Sequence, residues 1–368
     1  MKKIVSFIIS ILLLIIIVIG LYFIYLMTTD GNGAGILQVV NPNEGGIASS
    51  NLAAQASQEQ SVSGLDSAFS MQQDTNPKQL EDRYFYNQLD QYAKIIYSGL
   101  DQNIENLKLG NYTIDFKKSF SELLNSENGN NILNKSYQSA LDAFVMDRVD
   151  VFYIDISKMY MNIKSNSIGP STTYEVYINS GNHTNYYSGG FTSKAEVDQA
   201  IAQVENVRNE IYGNLNGNTY QKIMGMHDWL VDQIEYDTTL NRPNKDDIYG
   251  ALIQKNVVCG GYARAFKYLL DGLQIPCILV VGTGTNSEGN QESHAWNYVS
   301  LDQSWYAVDT TWDDPILIGK GKVNHTIKYQ YFMKGQKSFN KAHTSNGNIS
   351  GSGMEFQYPN LSMNDYEI

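Results

Sequence analysis

Three residues in the second half of the chain carry the side chains that a thiol nucleophile requires: Cys259, His294 and Asp309. A cysteine attacks as its thiolate, a histidine can take up the thiol proton, and a carboxylate can orient the imidazole ring. Each residue alone has an ordinary structural interpretation, as a small core residue, a buried histidine or a turn aspartate. Their occurrence together favours a catalytic site.

Cys259 is predicted to lie in the first turn of an amphipathic helix. Apolar side chains recur at helical steps after it, namely Ala263, Phe266, Leu270 and Leu273. Gly272 and Pro276 are expected to end this helix. The free amides and the positive dipole at a helix N-terminus favour a thiolate over a thiol. Gly260 and Gly261 would let a substrate backbone approach the sulfur.

His294 and Asp309 are predicted to lie on neighbouring strands of a β-hairpin. The segments 294–300 and 305–309 alternate in side-chain type, and residues 301–304 indicate a tight turn. A loop at 301–302 would place His294 directly opposite Asp309, whereas a loop at 302–303 would place the pair diagonally on one face. Only a loop with an odd number of residues would separate the two side chains.

The second cysteine, Cys277, precedes an apolar segment at 278–281 that is predicted to be a buried strand ended by Gly282 and Gly284. A buried strand residue is therefore the favoured interpretation of Cys277. A disulfide to Cys259 would block the nucleophile. Two cysteines alone leave that form of redox control open.

These segments resemble the transglutaminase-like superfamily. The resemblance rests on Cys259-Gly260-Gly261-Tyr262, on His294-Ala295-Trp296-Asn297 and on the segment from Trp305 to Trp312, within residues 220–315. It implies a papain-like core in which Cys259 is the nucleophile, His294 the general base and acid, and Asp309 the orienting carboxylate. Members of this superfamily cross-link glutamine to lysine, hydrolyse amides or peptides, or have lost activity, and the resemblance does not choose among them.

We therefore expect thiol acyl transfer on a carboxamide or peptide carbonyl, through a thioester. A cysteine peptidase or amidase of the same fold, and a non-catalytic cell-surface binding or assembly module, are the alternatives. The backbone amide of Cys259 is the expected oxyanion donor. Trp229 is a second candidate, because some members of the superfamily use a tryptophan upstream of the cysteine, although a helical stripe also explains it.

Composition argues against several other functions. The net charge of the chain is −12 and its pI is about 4.9, and an acidic chain without a basic stripe is not expected to bind nucleic acid. His325 and His343 lack metal-ligand spacing. Asp313 and Asp314 are expected to form a turn before Pro315 rather than a calcium site. No cofactor and no metal are predicted.

Residues 1–28 are predicted to anchor the chain in a membrane. Lys2 and Lys3 precede an apolar run from Ile4 to Met27, which is long enough to span a bilayer core of about 30 Å. The charge asymmetry predicts a cytoplasmic N-terminus and an extracellular bulk, in a single-pass protein of the cell membrane. A cleaved signal peptide is the alternative. The expected substrate is an exported protein or a cell-wall peptide.

The rest of the chain is predicted to form three parts. Residues 29–77, rich in Gly, Ser, Asn, Gln and Ala, predict a flexible linker. Residues 78–185 predict an N-terminal α/β accessory region, and residues 186–368 predict the transglutaminase-like domain. The predicted fold class is α+β, with a papain-like, transglutaminase-like core, the accessory region and one transmembrane helix.

Periodicity predicts the elements of both folded parts. In the accessory region, helices are predicted at 80–101 and from 136 onward, strands at 112–116 and 174–178, and an extended segment at 151–155. In the second part, helices are predicted at 193–215 and 219–236 and a strand at 329–333.

Overall fold

The computed structural model describes residues 38–40, 47–48, 82–314 and 328–367. The predicted membrane anchor at residues 1–28 and most of the predicted linker at residues 29–77 lie outside the described residues. Among the residues that are described, no helix has both the length and the apolar character needed to cross a membrane.

Helices and antiparallel strands give the described chain the mixed α and β architecture that the sequence predicts. The helices are α1 (Gln91–Gln102), α2 (Ile104–Leu107), α3 (Ser121–Leu124), α4 (Gly129–Asp147), α5 (Lys194–Asn214), α6 (Thr219–Gln233), α7 (Cys259–Asp271) and α8 (Gln336–Phe339). The strands are β1 (Gln38–Val40), β2 (Ile47–Ala48), β3 (Ile114–Asp115), β4 (Tyr160–Ile168), β5 (Ser171–Asn179), β6 (Glu235–Tyr236), β7 (Asn256–Val257), β8 (Cys277–Thr285), β9 (Gln291–Leu301), β10 (Ser304–Val308) and β11 (His343–Ser345).

The accessory region contains a five-stranded antiparallel sheet of order β2-β1-β4-β5-β3. Its centre is the hairpin of β4 and β5, which pair from Tyr160↔Asn179 to Ile168↔Ser171. The sequence does not predict β4, and the segment at 151–155, predicted as extended, forms turns with one isolated bridge. Strands β1 and β2 lie within residues 29–77, which the sequence predicts to be a linker. In the structure β1 pairs with both β2 and β4, so these residues belong to the sheet.

The second part of the chain contains a four-stranded antiparallel sheet of order β10-β9-β8-β11. Strand β8 runs through Gly282 and Gly284, so the prediction that these glycines end the strand is wrong. The absence of a side chain at the two glycines instead allows neighbouring groups to approach the backbone of β8 closely. A Cβ on Gly282 would lie 2.1 Å from the Thr344 carbonyl oxygen, and a Cβ on Gly284 would lie 2.8 Å from the Trp312 ring.

Helices α6 and α7 pack together, and α7 lies against β8 and β9. The predicted helix at 193–215 is confirmed, whereas α6 ends at Gln233, earlier than predicted. Residues Glu235 and Tyr236 leave the helix to form β6, which pairs in parallel with β7, so that Tyr236 faces Val257 in the register. Strand β7 leads directly into Cys259, so this small sheet fixes the entrance to α7.

The C-terminal segment connects the two parts of the molecule. The predicted strand at 329–333 is wrong, because this segment forms turns and Met333 has a positive φ of 50°. Further along, the Ser350 hydroxyl donates to Asp142 of α4, and the Met354 amide donates to the Ser139 hydroxyl of the same helix. Buried apolar residues of both parts form one continuous core.

Candidate active site

Cys259 is the first residue of α7, as predicted, and its side chain is half-buried. No side chain caps this helix, and among the described residues no acceptor contacts the backbone amides of Cys259 and Gly260. Gly261 is required by packing, because a Cβ there would lie 2.5 Å from Val257. Within the described part of the chain, the amides of Cys259 and Gly260 are therefore left without an acceptor at the N-terminus of α7.

The β9–β10 hairpin uses the second of the two predicted registers. Ser304 pairs with Leu301 and Val308 pairs with Asn297, so the loop is Asp302–Gln303, and both loop residues have positive φ. Continuing this register beyond the end of β10 places Asp309 diagonally across from His294 on the same face. The parity prediction is confirmed.

His294 and Asp309 form a buried pair, with His294 Nε2 at 2.8 Å from Asp309 Oδ2. The other carboxylate oxygen, Oδ1, accepts the backbone amides of Thr311 and Trp312, each at 3.1 Å. Because Nε2 is engaged by the carboxylate, Nδ1 is the ring nitrogen left to interact with the Cys259 thiol, which contributes to raising the pKa of His294. The structure thus joins His294 to Asp309, and it places Cys259 where its thiol influences the pKa of the imidazole.

The electrostatics of this pair favour an imidazolium beside a carboxylate. Burial alone would lower the pKa of His294, but the negative charge of Asp309 and its hydrogen bond, with a further contribution from Cys259, raise that pKa to about 10. Burial would raise the pKa of Asp309, but the charge of His294 and the hydrogen bonds from His294 and His343 hold it below its usual range.

Sequence reasoning missed His343, which lies on β11 and donates to the same carboxylate oxygen. His343 Nε2 is 2.9 Å from Asp309 Oδ2. The ligand atoms of His294, Asp309 and His343 lie within 4.8 Å of one another, a spacing that a metal ion can occupy. The contacts of 2.8 and 2.9 Å to one oxygen are hydrogen-bond distances, so the donor set as arranged is a hydrogen-bonded chain.

A second residue that sequence reasoning missed is Tyr236, whose hydroxyl responds to the charge of the nucleophile. Its pKa is raised to about 12 by burial and then by the neighbouring charges of Cys259 and Glu292. Among the described residues, no partner contacts its hydroxyl. Trp229, the oxyanion candidate from the sequence, instead has the Lys255 ammonium over its ring at 5.4 Å from the centroid. The sequence predicts that the helix continues to residue 236, so Tyr236 is interpreted as a helical residue and not as a candidate site residue.

Asp313 and Asp314 lie in the predicted turn, and both have protein partners. Asp313 Oδ2 is 3.0 Å from His227 Nε2, and Asp314 accepts the Tyr262 hydroxyl at 2.5 Å. Burial is the main cause that raises the pKa of each carboxyl to about 6. The other nitrogen of His227 faces Asp228 at 3.2 Å, so that this buried ring lies between two carboxylates.

Cys277 is buried and is not bonded to Cys259. It pairs with Val299, whereas Gly282, five positions along β8, pairs with His294. Both cysteines are free in this structure, so the bridge that the sequence leaves open is not formed here. Burial raises the pKa of the Cys277 thiol.

Comparison with known proteins finds a family model that matches part of the chain. Residues 205–310, which contain the three predicted site residues, match the model of the transglutaminase-like superfamily. Kyphoscoliosis peptidase of Mus musculus is 25% identical over 154 residues, which cover 38% of this chain and 22% of that protein. The human protein of the same name is 25% identical over 137 residues, covering 34% and 19%. The chain thus spans about a fifth of the length of these curated relatives.

Solved structures also show similarity. A crystal structure of a TGase matches with a TM-score of 0.29 and 15% identity, over 46% of this chain and 48% of that chain. The periplasmic domain of TgpA from Pseudomonas aeruginosa, bound to ethylmercury, matches with a TM-score of 0.24 and 15% identity, over 42% of this chain and 72% of that chain.

Proposed function

We propose that the chain, whose residues 205–310 match the transglutaminase-like superfamily, catalyses acyl transfer from a carboxamide or peptide carbonyl through a cysteine thioester. The observation that carries the proposal is the buried His294–Asp309 pair, with Nε2 at 2.8 Å from Oδ2. Cys259, half-buried at the start of α7, lies near enough to contribute to the raised pKa of His294. A thiol beside a buried, carboxylate-oriented imidazole has the arrangement of an activated nucleophile.

The first half of the proposed reaction forms the acyl-enzyme. Nδ1 of His294 takes the proton of the Cys259 thiol, and the sulfur attacks the carbonyl carbon to give a tetrahedral intermediate. The imidazolium then gives this proton to the departing ammonia or amine, the carbon–nitrogen bond breaks, and a thioester remains on Cys259. Asp309 stays ionised and stabilises the imidazolium.

The second half resolves the thioester. Water or a primary amine attacks the thioester carbonyl while His294 takes up its proton, and the same proton returns to the departing thiolate. The backbone amide of Cys259 is the proposed oxyanion donor in both halves, and the hydroxyl of Tyr236, whose pKa responds to the charge of Cys259, is a second candidate.

Hydrolysis of a peptide bond is the second candidate, because both curated relatives carry the name peptidase. The same acyl-enzyme serves both reactions, and the acceptor that reaches the thioester decides between them. The side chain of Cys259 is half-buried, so part of it is exposed to solvent. We further propose that the domain works outside the cell on an exported protein or a cell-wall peptide, because the sequence predicts an N-terminal membrane anchor.

Thiol labelling tests whether Cys259 is activated. In the full chain carrying Cys277→Ala, iodoacetamide should label Cys259 rapidly at neutral pH, and His294→Ala should slow the labelling by at least 10-fold. The Cys259→Ala variant is the background control. Equal labelling rates with and without His294 would contradict the proposal and favour a non-catalytic surface module.

A product assay separates transfer from hydrolysis. The full chain is incubated with a glutamine-containing peptide and a fluorescent primary amine, and products are followed by mass spectrometry. Amine incorporation with release of ammonia supports acyl transfer. Shortened or deamidated peptides without amine incorporation support the hydrolytic alternative. Cys259→Ala must abolish either product.

A further inference from the structure

The carboxylate of Asp309 is shared by two histidines that reach it from opposite sides of one strand. His294 pairs with Gly282 of β8 and His343 pairs with Gly284 of the same strand, on the other side. Their Nε2 atoms lie 2.8 and 2.9 Å from the same oxygen of Asp309. We propose, on the basis of the proposed function, that His343 is a positioning residue that fixes Asp309 so that its carboxylate orients His294.

The hydrogen-bond pattern assigns one tautomer to His343. An ionised carboxylate only accepts hydrogen bonds, so the Nε2 atoms of His294 and His343 must both donate. The Nδ1 atom of His343 is buried and has no hydrogen-bond partner within the described part of the chain. His343 is therefore the Nε2–H tautomer, and its Nε2–H donates to Asp309 Oδ2.

Aromatic rings hold His343 in this orientation. Phe339 stacks on the imidazole with centroids 4.0 Å apart and planes at 13°. Three more rings surround it at centroid distances of 4.5, 5.0 and 5.2 Å, from Trp312, Trp296 and Tyr331. The ring is almost completely buried, so its donor position is fixed before substrate arrives.

The remaining bonds of Asp309 explain why the second histidine matters. The backbone amides of Thr311 and Trp312 saturate Oδ1, and the two histidines saturate Oδ2. Without His343, Oδ2 keeps only the donor of His294, and the carboxylate gains freedom to rotate away from the imidazole. The hydrogen bond of His343 goes to Asp309 and to no reacting atom, so we assign its effect on the chemistry to the orientation of that carboxylate.

Two replacements of His343 separate its donor from its shape. His343→Phe keeps a ring inside the aromatic cage but removes the donor, and His343→Gln keeps an N–H donor on a side chain of similar reach. Thr344→Ala, at an exposed position of the same strand, is the matched control. Each variant is made in the full chain with Cys277→Ala, and its melting temperature is recorded.

The readouts are the iodoacetamide labelling rate of Cys259 and the kcat and KM of the product assay. We expect His343→Phe to lower the labelling rate and kcat by roughly 10- to 100-fold, the range seen when an outer hydrogen bond that orients an active-site group is lost, with KM unchanged. His343→Gln should recover most of this loss, and Thr344→Ala should match the parent. Parent-like rates in His343→Phe, or rates in His343→Gln as low as in a folded His343→Phe, would overturn the role of His343.

The design distinguishes failure of this inference from failure of the proposed function. If His294→Ala slows labelling and His343→Phe does not, only the positioning role fails. If His343→Phe does not fold, the positioning role is tested by NMR of the ¹⁵N-labelled parent, which shows the tautomer of His343. A proton on Nε2 with a bare Nδ1 supports the role, and a proton on Nδ1 with a bare Nε2 overturns it.

Discussion

The indole of Trp312 lies over the imidazole of His294, with ring centroids 4.9 Å apart and planes at 27°. Trp312 follows Asp309 within the same turn, and its backbone amide bonds that carboxylate. One short segment therefore provides both the anion beside the imidazole edge and the π-face above its plane. A protonated imidazole in this position is stabilised by both.

Replacement of Trp312 should weaken the imidazolium. Trp312→Leu removes a cation–π contact worth about 1–2 kcal/mol, so we expect the labelling rate of Cys259 at pH 7 to fall by roughly 5- to 30-fold. Trp312→Phe keeps a π-face and should retain most of the rate. Trp305→Leu, on the same hairpin, is the control. A rate for Trp312→Leu equal to that of this control would contradict the role of the stack.

The His294–Asp309 pair should make stability depend on pH on the alkaline side. The pKa of His294 is raised to about 10 in the folded protein, from about 6.5 in an unfolded chain. The stabilisation is therefore fully present below about pH 6.5 and is lost as the pH rises toward 10. The difference in unfolding free energy between the parent and His294→Gln, measured with urea, should shrink from pH 6.5 to 10. A difference that stays constant would refute a raised pKa.

Gly282 should not tolerate a side chain. A Cβ there would lie 2.1 Å from the Thr344 carbonyl, so Gly282→Ala must push β11 away from β8. We expect a loss of about 1–3 kcal/mol in unfolding free energy, the usual cost of overpacking, together with slower labelling of Cys259 because His343 moves. The control is Gly213→Ala in α5, where nothing lies within 4 Å of the added atom. That variant should be neutral or slightly stabilising.

His227 should be important for stability rather than for thiol reactivity. His227→Leu leaves Asp313 buried without its charged partner, and such a loss costs about 3–5 kcal/mol. Asp228 is 30% exposed, so Asp228→Asn should cost much less. Urea unfolding measures both variants. A small effect of His227→Leu would show that Asp313 is neutral in the folded protein.

The sequence predicts the three site residues because each lies in a segment with a regular pattern. The stripe after Cys259 has helical spacing, and the two strands of the hairpin alternate, so that parity alone restricts His294 and Asp309 to one face. The same reasoning could not reach His343. It lies on a three-residue strand, 34 positions after Asp309, and pairing with β8 brings it to the carboxylate.

Other misses have equally local causes. Strand β4 alternates only over its first residues, and its outer half is polar and exposed, so no buried face marks it. The sequence predicts helix α4 only from residue 136 onward, whereas the helix begins at Gly129. The segment 329–333 alternates like a strand, but its aromatic rings pack around His227 and His343 and the backbone turns at Met333.

The hydrogen bonds between the C-terminal segment and α4 make the two predicted parts mutually dependent. Gln357 also accepts the Tyr84 hydroxyl through its carbonyl and donates its amide to Gln88, so the last part of the described chain closes over the first helical turns. We therefore expect neither half to survive as an autonomous folding unit. Deletion of the final twenty residues would remove hydrogen bonds to a region almost three hundred positions earlier in the chain and destabilise it. Exchange of the accessory region between homologues would therefore require exchange of the C-terminal segment as well.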